Sequence, residues 1–308
     1  MLPLWLQTHI TQMTAAYSST QLAQAYTNLS NRYRLSADKR GFKSQAEAVA
    51  YVAARLPATY ACVQSCLKEL PEEYAPQIIL DLGSGPGTAT LACLERFKGS
   101  QYYLLEEDAH MTNIGQQLIP QGLWHQEDIS SASKFPSADL VLLSYVLNEL
   151  PSSKRLKIID KIWNVTNDYL LIITAGTPQG FEQLREVRSS LIDQGASIIA
   201  PCPHSLSCPL QGQDWCHFRT RLPRSSLHRS VKGAELNYED EKFSYLLASK
   251  HPNSQIYQRV LKQPQHRSSH GIIDLCTPQG TVVNESYSKS KSEKYALLRK
   301  STWGDKIL

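Results

Sequence analysis

The stretch that most restricts this chain is "ILDLGSGPGTATLA", in which Asp81, Gly83, Gly85 and Gly87 spell D-x-G-x-G-x-G between an apolar run and a helical pattern. Glycine lets a backbone turn sharply and come close to a ligand. Open α/β sheets bind their ligands at the carboxyl ends of the strands. A strand, a glycine turn and a helix in succession therefore predict an α/β sheet with a binding crevice beside its first strand. The neighbouring pattern agrees. Apolar strands "YYLLEE", "DLVLLSYVL" and "YLLIITAG" alternate with helical "TATLACLERF", "SSKRLKIIDKIWNV" and "GFEQLREVRSSLIDQG". Such alternation is that of a parallel sheet with crossover helices.

Upstream the pattern is helical. Val49, Val52, Ala53 and Leu56 recur at helical spacing, and Val63, Cys66, Leu67 and Leu70 repeat it beyond Pro57, which predicts two or more helices. Beyond Ala200 the alternation gives way to short strands ("KFSYLLAS", "QIYQRVLK", "GIIDLCT", "TVVNESYS"), basic loops and a closing helix, "SEKYALLRK". Three segments are expected: a helical region over 1–75, the α/β domain over 76–200, and a basic, β-rich region over 201–308. The 308 residues contain no apolar run near the ~20 needed to span a bilayer, so a soluble chain with no membrane partner is expected; a monomer is the expectation for an oligomeric state that the sequence leaves open. The first Lys or Arg is Arg32, which argues against a basic signal or organelle presequence, so a bacterial-type cytoplasm is the expected compartment. In a reducing compartment the seven cysteines read as thiols or metal ligands rather than disulfides.

The glycine spacing differs from the dinucleotide fingerprint G-x-G-x-x-G and resembles motif I of class I S-adenosylmethionine-dependent methyltransferases. That resemblance implies a Rossmann-like methyltransferase core with Asp81, Gly83, Gly85 and Gly87 around the cofactor. It further implies that Glu106, at the end of "YYLLE", accepts the ribose hydroxyls and that Asp128, in "WHQEDIS", meets the adenine amine. Glu107 and Asp108 stand beside Glu106, and a solvated surface acid is the alternative reading for any of the three. After the fourth strand, "LLSYVLNELP" places Ser144, Tyr145, Val146 and Leu147 where methyltransferases of base amines often carry Asn or Asp followed by two prolines and an aromatic. No catalytic residue is identified. Methyl transfer depends chiefly on in-line approach, so the missing turn leaves the substrate open rather than excluding a reaction.

"APCPHSLSCPLQGQDWCHF" puts Cys202, Cys208 and Cys216, with three prolines and two histidines, into one irregular loop. The wide spacing lacks the close cysteine pair of common zinc modules. A four-iron cluster wants four thiolates. Cys62, Cys66 and Cys93 fall in helical patterns as small core residues, whereas Cys276 ends a strand just before a turn. Zinc, with His204 or His217, and simple buried thiols remain alternatives.

"APCPH", "CPL", "DWCHF", "KFSYLL", "LCT" with its following glycine, and the terminal "WGD" resemble the methyltransferase-like family of small-ribosomal-subunit assembly factors. The likeness runs from "AARLPATY" through "DLGSGPGTA" and "GTPQGF" to Trp303-Gly304-Asp305. It implies a 4Fe-4S cluster held by Cys202, Cys208, Cys216 and Cys276, and association with the small ribosomal subunit and its rRNA. Ala175 departs from the acidic residue expected before "GTPQG". After the cysteine loop, Arg219, Arg221, Arg224, Arg229 and Lys232 run without an intervening acid, a pattern that suits phosphate contact. Two functions follow: methyl transfer to ribosomal RNA, or a non-catalytic assembly role. A zinc-binding methyltransferase of another substrate is a further alternative.

Overall fold

The computed structural model describes residues 2–35, 41–290 and 293–308. Two compact units emerge, each built from separated pieces of chain: residues 1–144 with 220–241, and residues 145–219 with 242–308. Their boundaries follow packing and cut across the three sequence segments.

The first unit opens with three helices, α1 (Leu4–Thr14), α2 (Ser19–Leu35) and α3 (Gln45–Leu67). Ser44 caps α3 by accepting from Glu47 N–H, and Glu47 is clamped by Arg32 at 2.6 Å. The sequence pattern predicts two or more helices over this stretch, and α3 instead runs through Pro57 as one helix. A proline inside a helix costs about 3 kcal/mol. Val49, Val52, Ala53 and Leu56 before it, with Val63, Cys66 and Leu67 after it, are all buried, and that burial outweighs the cost.

An α/β layer follows: β1 (Ile78–Leu82), α4 (Thr88–Arg96), β2 (Gln101–Glu106), α5 (Ala109–Leu118), β3 (Leu123–Gln126) and β4 (Ala138–Ser144). The strands lie in the order β3-β2-β1-β4, all parallel within the pairs β1–β2, β1–β4 and β2–β3. This places the carboxyl ends of β1 and β2 side by side, with Leu82 opposite Leu105.

The second unit begins with α6 (Arg155–Val165), β5 (Thr166–Ala175), α7 (Pro178–Asp193) and β6 (Ser197–Ala200). The chain then passes through β7 (Phe218–Pro223) and α8 (Ser226–Lys232), and returns along the long β8 (Tyr238–Ser249). In the second unit β8 lies between β5 and β6, antiparallel to both, so "KFSYLLAS" pairs with strands of the preceding segment. The β-rich region assigned to 201–308 thus gives up its longest strand to the sheet of β5 and β6. The orders β3-β2-β1-β4 and β5-β8-β6, with one antiparallel strand late in the chain, are those of the class I methyltransferase-like α/β fold.

What remains is a small antiparallel sheet of β9 (Gln258–Val260), β10 (Gln265–His266), β11 (His270–Cys276), β12 (Val282–Ser288) and β13 (Lys306–Ile307), with α9 (Glu293–Lys300) packed on β11. Val260, Ile273, Leu275, Leu298 and Ile307 form its core. Among the described residues no helix is long and apolar enough to cross a membrane.

Candidate functional site

At the end of β1 the backbone makes the turn that the glycines predict. Gly83, Gly85 and Gly87 take φ of 64°, 55° and 78°, in the left-handed region where a side chain is strained. Their roles differ. A Cβ on Gly87 would stand 2.4 Å from Ile119 Cδ1, so this glycine serves packing, and it also caps α4. A Cβ on Gly85 would meet nothing within 4 Å, leaving that backbone open to a ligand.

Asp81 is 1% exposed and accepts from Thr90 N–H and Oγ1–H through one oxygen, while its other oxygen has no partner. Burial raises its pKa to about 6, with the Thr90 hydrogen bonds acting against the rise. Its place is beneath the loop, fastening α4 to β1.

Glu106 is the acid of the three that reaches the glycine loop. It accepts from Gly85 N–H at 2.7 Å and from Asp108 N–H at 2.9 Å. Each carboxylate oxygen retains a second lone-pair direction, which is the acceptor capacity a ribose diol requires. Burial raises its pKa to about 7, against the pull of those two backbone donors. Asp108 instead caps α5, accepting from His110 and Met111 N–H, and its other oxygen accepts from Phe42 N–H. Glu107 is exposed. Asp128 lies two residues past β3, half-buried, and accepts from Ser130 N–H and Oγ–H in a local turn. Among the described residues no hydrogen bond joins the Asp128 carboxylate to the glycine loop in the way that Gly85 joins Glu106.

The turn after β4 carries a strain that the sequence does not announce. Tyr145 has φ of 62°, costly for an aromatic residue, and its N–H donates to Ile173 O at 2.7 Å. Ser144 Oγ is buried without a hydrogen-bond partner, and Asn148 and Glu149 are exposed.

In the second unit, Cys202, Cys208, Cys216 and Cys276 line one cavity. Phe181, Leu184 and Leu246 give it apolar walls, Arg185, Arg188 and Arg259 add positive charge, and among the described residues no carboxylate lines it. A set of four thiols between apolar and cationic side chains suits a soft metal centre. Among the described residues no group of three or more His, Cys, Asp or Glu is placed to hold a single metal ion. A four-iron cluster is larger than one ion and spaces its thiolates more widely, so the donor set fits that group better. Burial pushes the Cys276 thiol up to about 12, with Cys202 and Cys208 adding to the rise, and burial likewise raises Cys216 well above its ordinary value. Free side chains here are thiols, so ligation must displace protons. Cys62, Cys66 and Cys93 are buried in α3 and α4 of the first unit and are not among the residues that line this cavity.

The cysteine loop is held by side chains that no motif marked. Tyr257 OH lies within hydrogen-bonding distance of Ile199 O, Pro201 O and Cys202 O, Arg259 Nε donates to Pro201 O, and Arg188 donates to His204 O. Ser244 Oγ donates to Cys216 O. Gly280 and Gly304, the glycines of the "LCT" and "WGD" motifs, have φ of 73° and 95°. They sit against His204 with Leu206, and against Phe218, respectively. Arg188 had one legible signal: it shares a helical face with the apolar Leu184 and Leu191. His217 stacks on Trp215 at 4.9 Å.

The basic run is divided. Arg219 belongs to the second unit, where it lies over Trp303 at 5.6 Å. Arg221, Arg224 and Arg229 belong to the first. Arg221 is exposed but forms a bidentate pair with Asp240 at 2.7 and 2.6 Å. Arg224, 14% exposed, is committed with Lys232 to Glu239, which also lies 3.2 Å from His228 Nε2. Arg229 is exposed on α8.

The model of the family described as mitochondrial small ribosomal subunit Rsm22 matches residues 45–308. The human ribosome assembly protein METTL17, mitochondrial, is 26% identical over 83% of this chain and 61% of its own length. The Schizosaccharomyces pombe Rsm22-cox11 tandem protein 2, mitochondrial, is 26% identical over 84% of this chain and 43% of its own length. The Saccharomyces cerevisiae ribosome assembly protein RSM22, mitochondrial, is 20% identical over 86% of this chain and 68% of its own length. The chain thus spans from under half to about two thirds of these relatives. Among solved structures, magnesium protoporphyrin IX methyltransferase from Synechocystis PCC 6803 with bound SAM is 13% identical, with a TM-score of 0.42, over 77% of this chain and 99% of that one. So low a score carries no argument about function. The relatives' names overturn the expected bacterial-type cytoplasmic compartment, since all three are mitochondrial. That expectation rested on the charge of residues 1–31, which says nothing about compartment in a chain spanning only part of its relatives.

Proposed function

The chain belongs to the mitochondrial small ribosomal subunit Rsm22 family, and on that premise we propose that it is a small-subunit assembly factor that binds S-adenosylmethionine and holds a 4Fe-4S cluster on Cys202, Cys208, Cys216 and Cys276. The observation that carries the reading is the cavity to which the loop cysteines and Cys276, sixty residues further on, all contribute. When bound, the cluster supplies a rigid redox-capable cross-link, and the cofactor supplies an activated methyl group. Gly85 offers open backbone to the cofactor and Glu106 offers carboxylate oxygens to its ribose; Asp81 supports the loop from beneath. Asp128 is assigned to the adenine side by its place after β3.

The RNA contact is assigned to Arg219, Arg221 and Arg229, which are exposed. Arg224 is left to hold Glu239. The absence of an amide or carboxylate residue from Ser144 to Leu147, with Ala175 in place of an acid, favours the non-catalytic form of this function. Methyl transfer to rRNA is the other form, and the intact glycine loop favours it.

Anaerobic isolation with iron, sulfide and zinc analysis tests the metal: about four iron and four sulfide per chain are expected. Stoichiometric zinc without sulfide overturns the cluster. Crosslinking in cells, followed by sequencing of the bound RNA, tests the partner. Reads should concentrate in small-subunit rRNA, and methylation of a small metabolite without RNA crosslinks overturns the ribosomal role.

A further inference from the structure

His204 lies in the cysteine loop yet is not placed as a ligand. Its Nδ1 accepts a hydrogen bond from Leu206 N–H at 3.1 Å, so that nitrogen carries no proton. In a neutral imidazole the proton then sits on Nε2, which lies 3.5 Å from Cys276 Sγ. A protonated nitrogen donates to sulfur and does not bind metal. Both residues are buried, His204 at 7% and Cys276 at 6% exposure, so solvent does not compete for the contact.

Behind His204 stands Arg188. It is 4% exposed, lines the same cavity as the four cysteines, and donates from Nη2 to His204 O at 2.9 Å, while its buried Nε has no partner. Burying a guanidinium costs several kcal/mol unless negative charge compensates it. A four-thiolate centre in that cavity is such a charge.

We propose that His204 is a positioning residue that donates Nε2–H to the Cys276 thiolate, and that Arg188 fixes the His204 backbone and adds a buried positive charge, the two together setting the electrostatics of the metal centre. The inference rests on the cluster proposed above. A donor to a ligating sulfur and a nearby cation both favour the more negative, reduced state, so both raise the reduction potential. The pattern also gives His204 a reason to be in the loop without placing it among the ligands.

The test is a redox titration of the anaerobically isolated full chain, followed by electron paramagnetic resonance, on wild type and on His204→Leu, His204→Gln, Arg188→Gln and Arg188→Lys. His204→Leu and Arg188→Gln should retain iron and sulfide but titrate at a more negative potential with an altered spectrum. His204→Gln, which restores an N–H, and Arg188→Lys, which restores the charge, should return most of the shift. Iron-loaded His204→Leu and Arg188→Gln proteins that titrate with wild type overturn the proposal and leave the cluster standing. Loss of iron in both conservative variants, as in a ligand knockout, assigns these residues to ligation or folding and also overturns it. Wild type that contains no sulfide overturns the cluster and this inference with it.

Discussion

The glycine loop and the cysteine loop, the two binding sites proposed above, are assembled in opposite ways. The first works through backbone: three glycines with positive φ fall within five residues, and one N–H, of Gly85, is joined to a carboxylate from the next strand. The second works through side chains: thiols from a fifteen-residue stretch and from the end of β11 converge on a cavity whose loop is held by Tyr257, Arg259 and Arg188. A backbone site is written contiguously because a tight turn is local. A side-chain site needs partners that only the folded chain brings near. The first should therefore be sensitive to conformation at single glycines, and the second to the loss of any one ligand.

The largest expected effect separates the cysteines. Cys208→Ser and Cys276→Ser should each abolish iron binding, measured as iron per chain, while Cys62→Ser, in the core of α3, should retain it and cost only stability. Equal iron content in all three would break the contrast between the two regions.

The next effect lies in the first unit. Glu239→Ala removes the carboxylate shared by Arg224 and Lys232 and should cost about 3–5 kcal/mol in chemical denaturation, because it leaves buried cations uncompensated. Burial alone would raise the Glu239 pKa, but His228 and Lys232 hold it well below the usual carboxylate range. Since its folded value is depressed, its stabilisation is full above the unfolded value of 4.5 and is lost as the pH falls below it. The variant should accordingly lose less stability than wild type as the pH falls through the acid range, and its iron content should match wild type.

Within the glycine loop the comparison sharpens further. Gly87→Ala drives a Cβ into Ile119 at a φ of 78° and should cost about 2–4 kcal/mol. Gly85→Ala has open space and should cost only the ~1–2 kcal/mol of left-handed strain, yet weaken S-adenosylmethionine in calorimetry. Similar stability losses at both positions would refute the division between packing and ligand glycines.

The smallest effect concerns Glu106. Because burial raises its folded pKa from 4.5 to about 7, its contribution to stability is full below 4.5 and is lost as the pH rises through about 7. Glu106→Gln should remove that dependence from thermal unfolding curves. It should also weaken the cofactor by ~1–3 kcal/mol, since the ionised carboxylate is the stronger acceptor. Cofactor binding by wild type should therefore tighten as the pH rises through about 7.

The sequence by itself determined the α/β alternation and the glycine turn, because periodicity and positive φ are properties of short segments. It also separated the four cysteines from the three helical ones by pattern and resemblance. Tertiary structure alone decided what depends on distant partners. Helix α3 continues through Pro57 because its apolar face is buried on both sides. Strand β8 joins the sheet of β5 and β6 antiparallel because those strands offer it edges that no local signal announces. Arg224 is an ion-pair partner rather than a free cation because Glu239 returns fifteen residues later on the neighbouring strand. Cys276 lines the cavity because the pairing of β11 with β9 sets it opposite Arg259, whose guanidinium holds the cysteine loop. Each of these depends on loop closure over many residues. A sequence states which groups are available, and the entropy and geometry of closing those loops settle which of them meet.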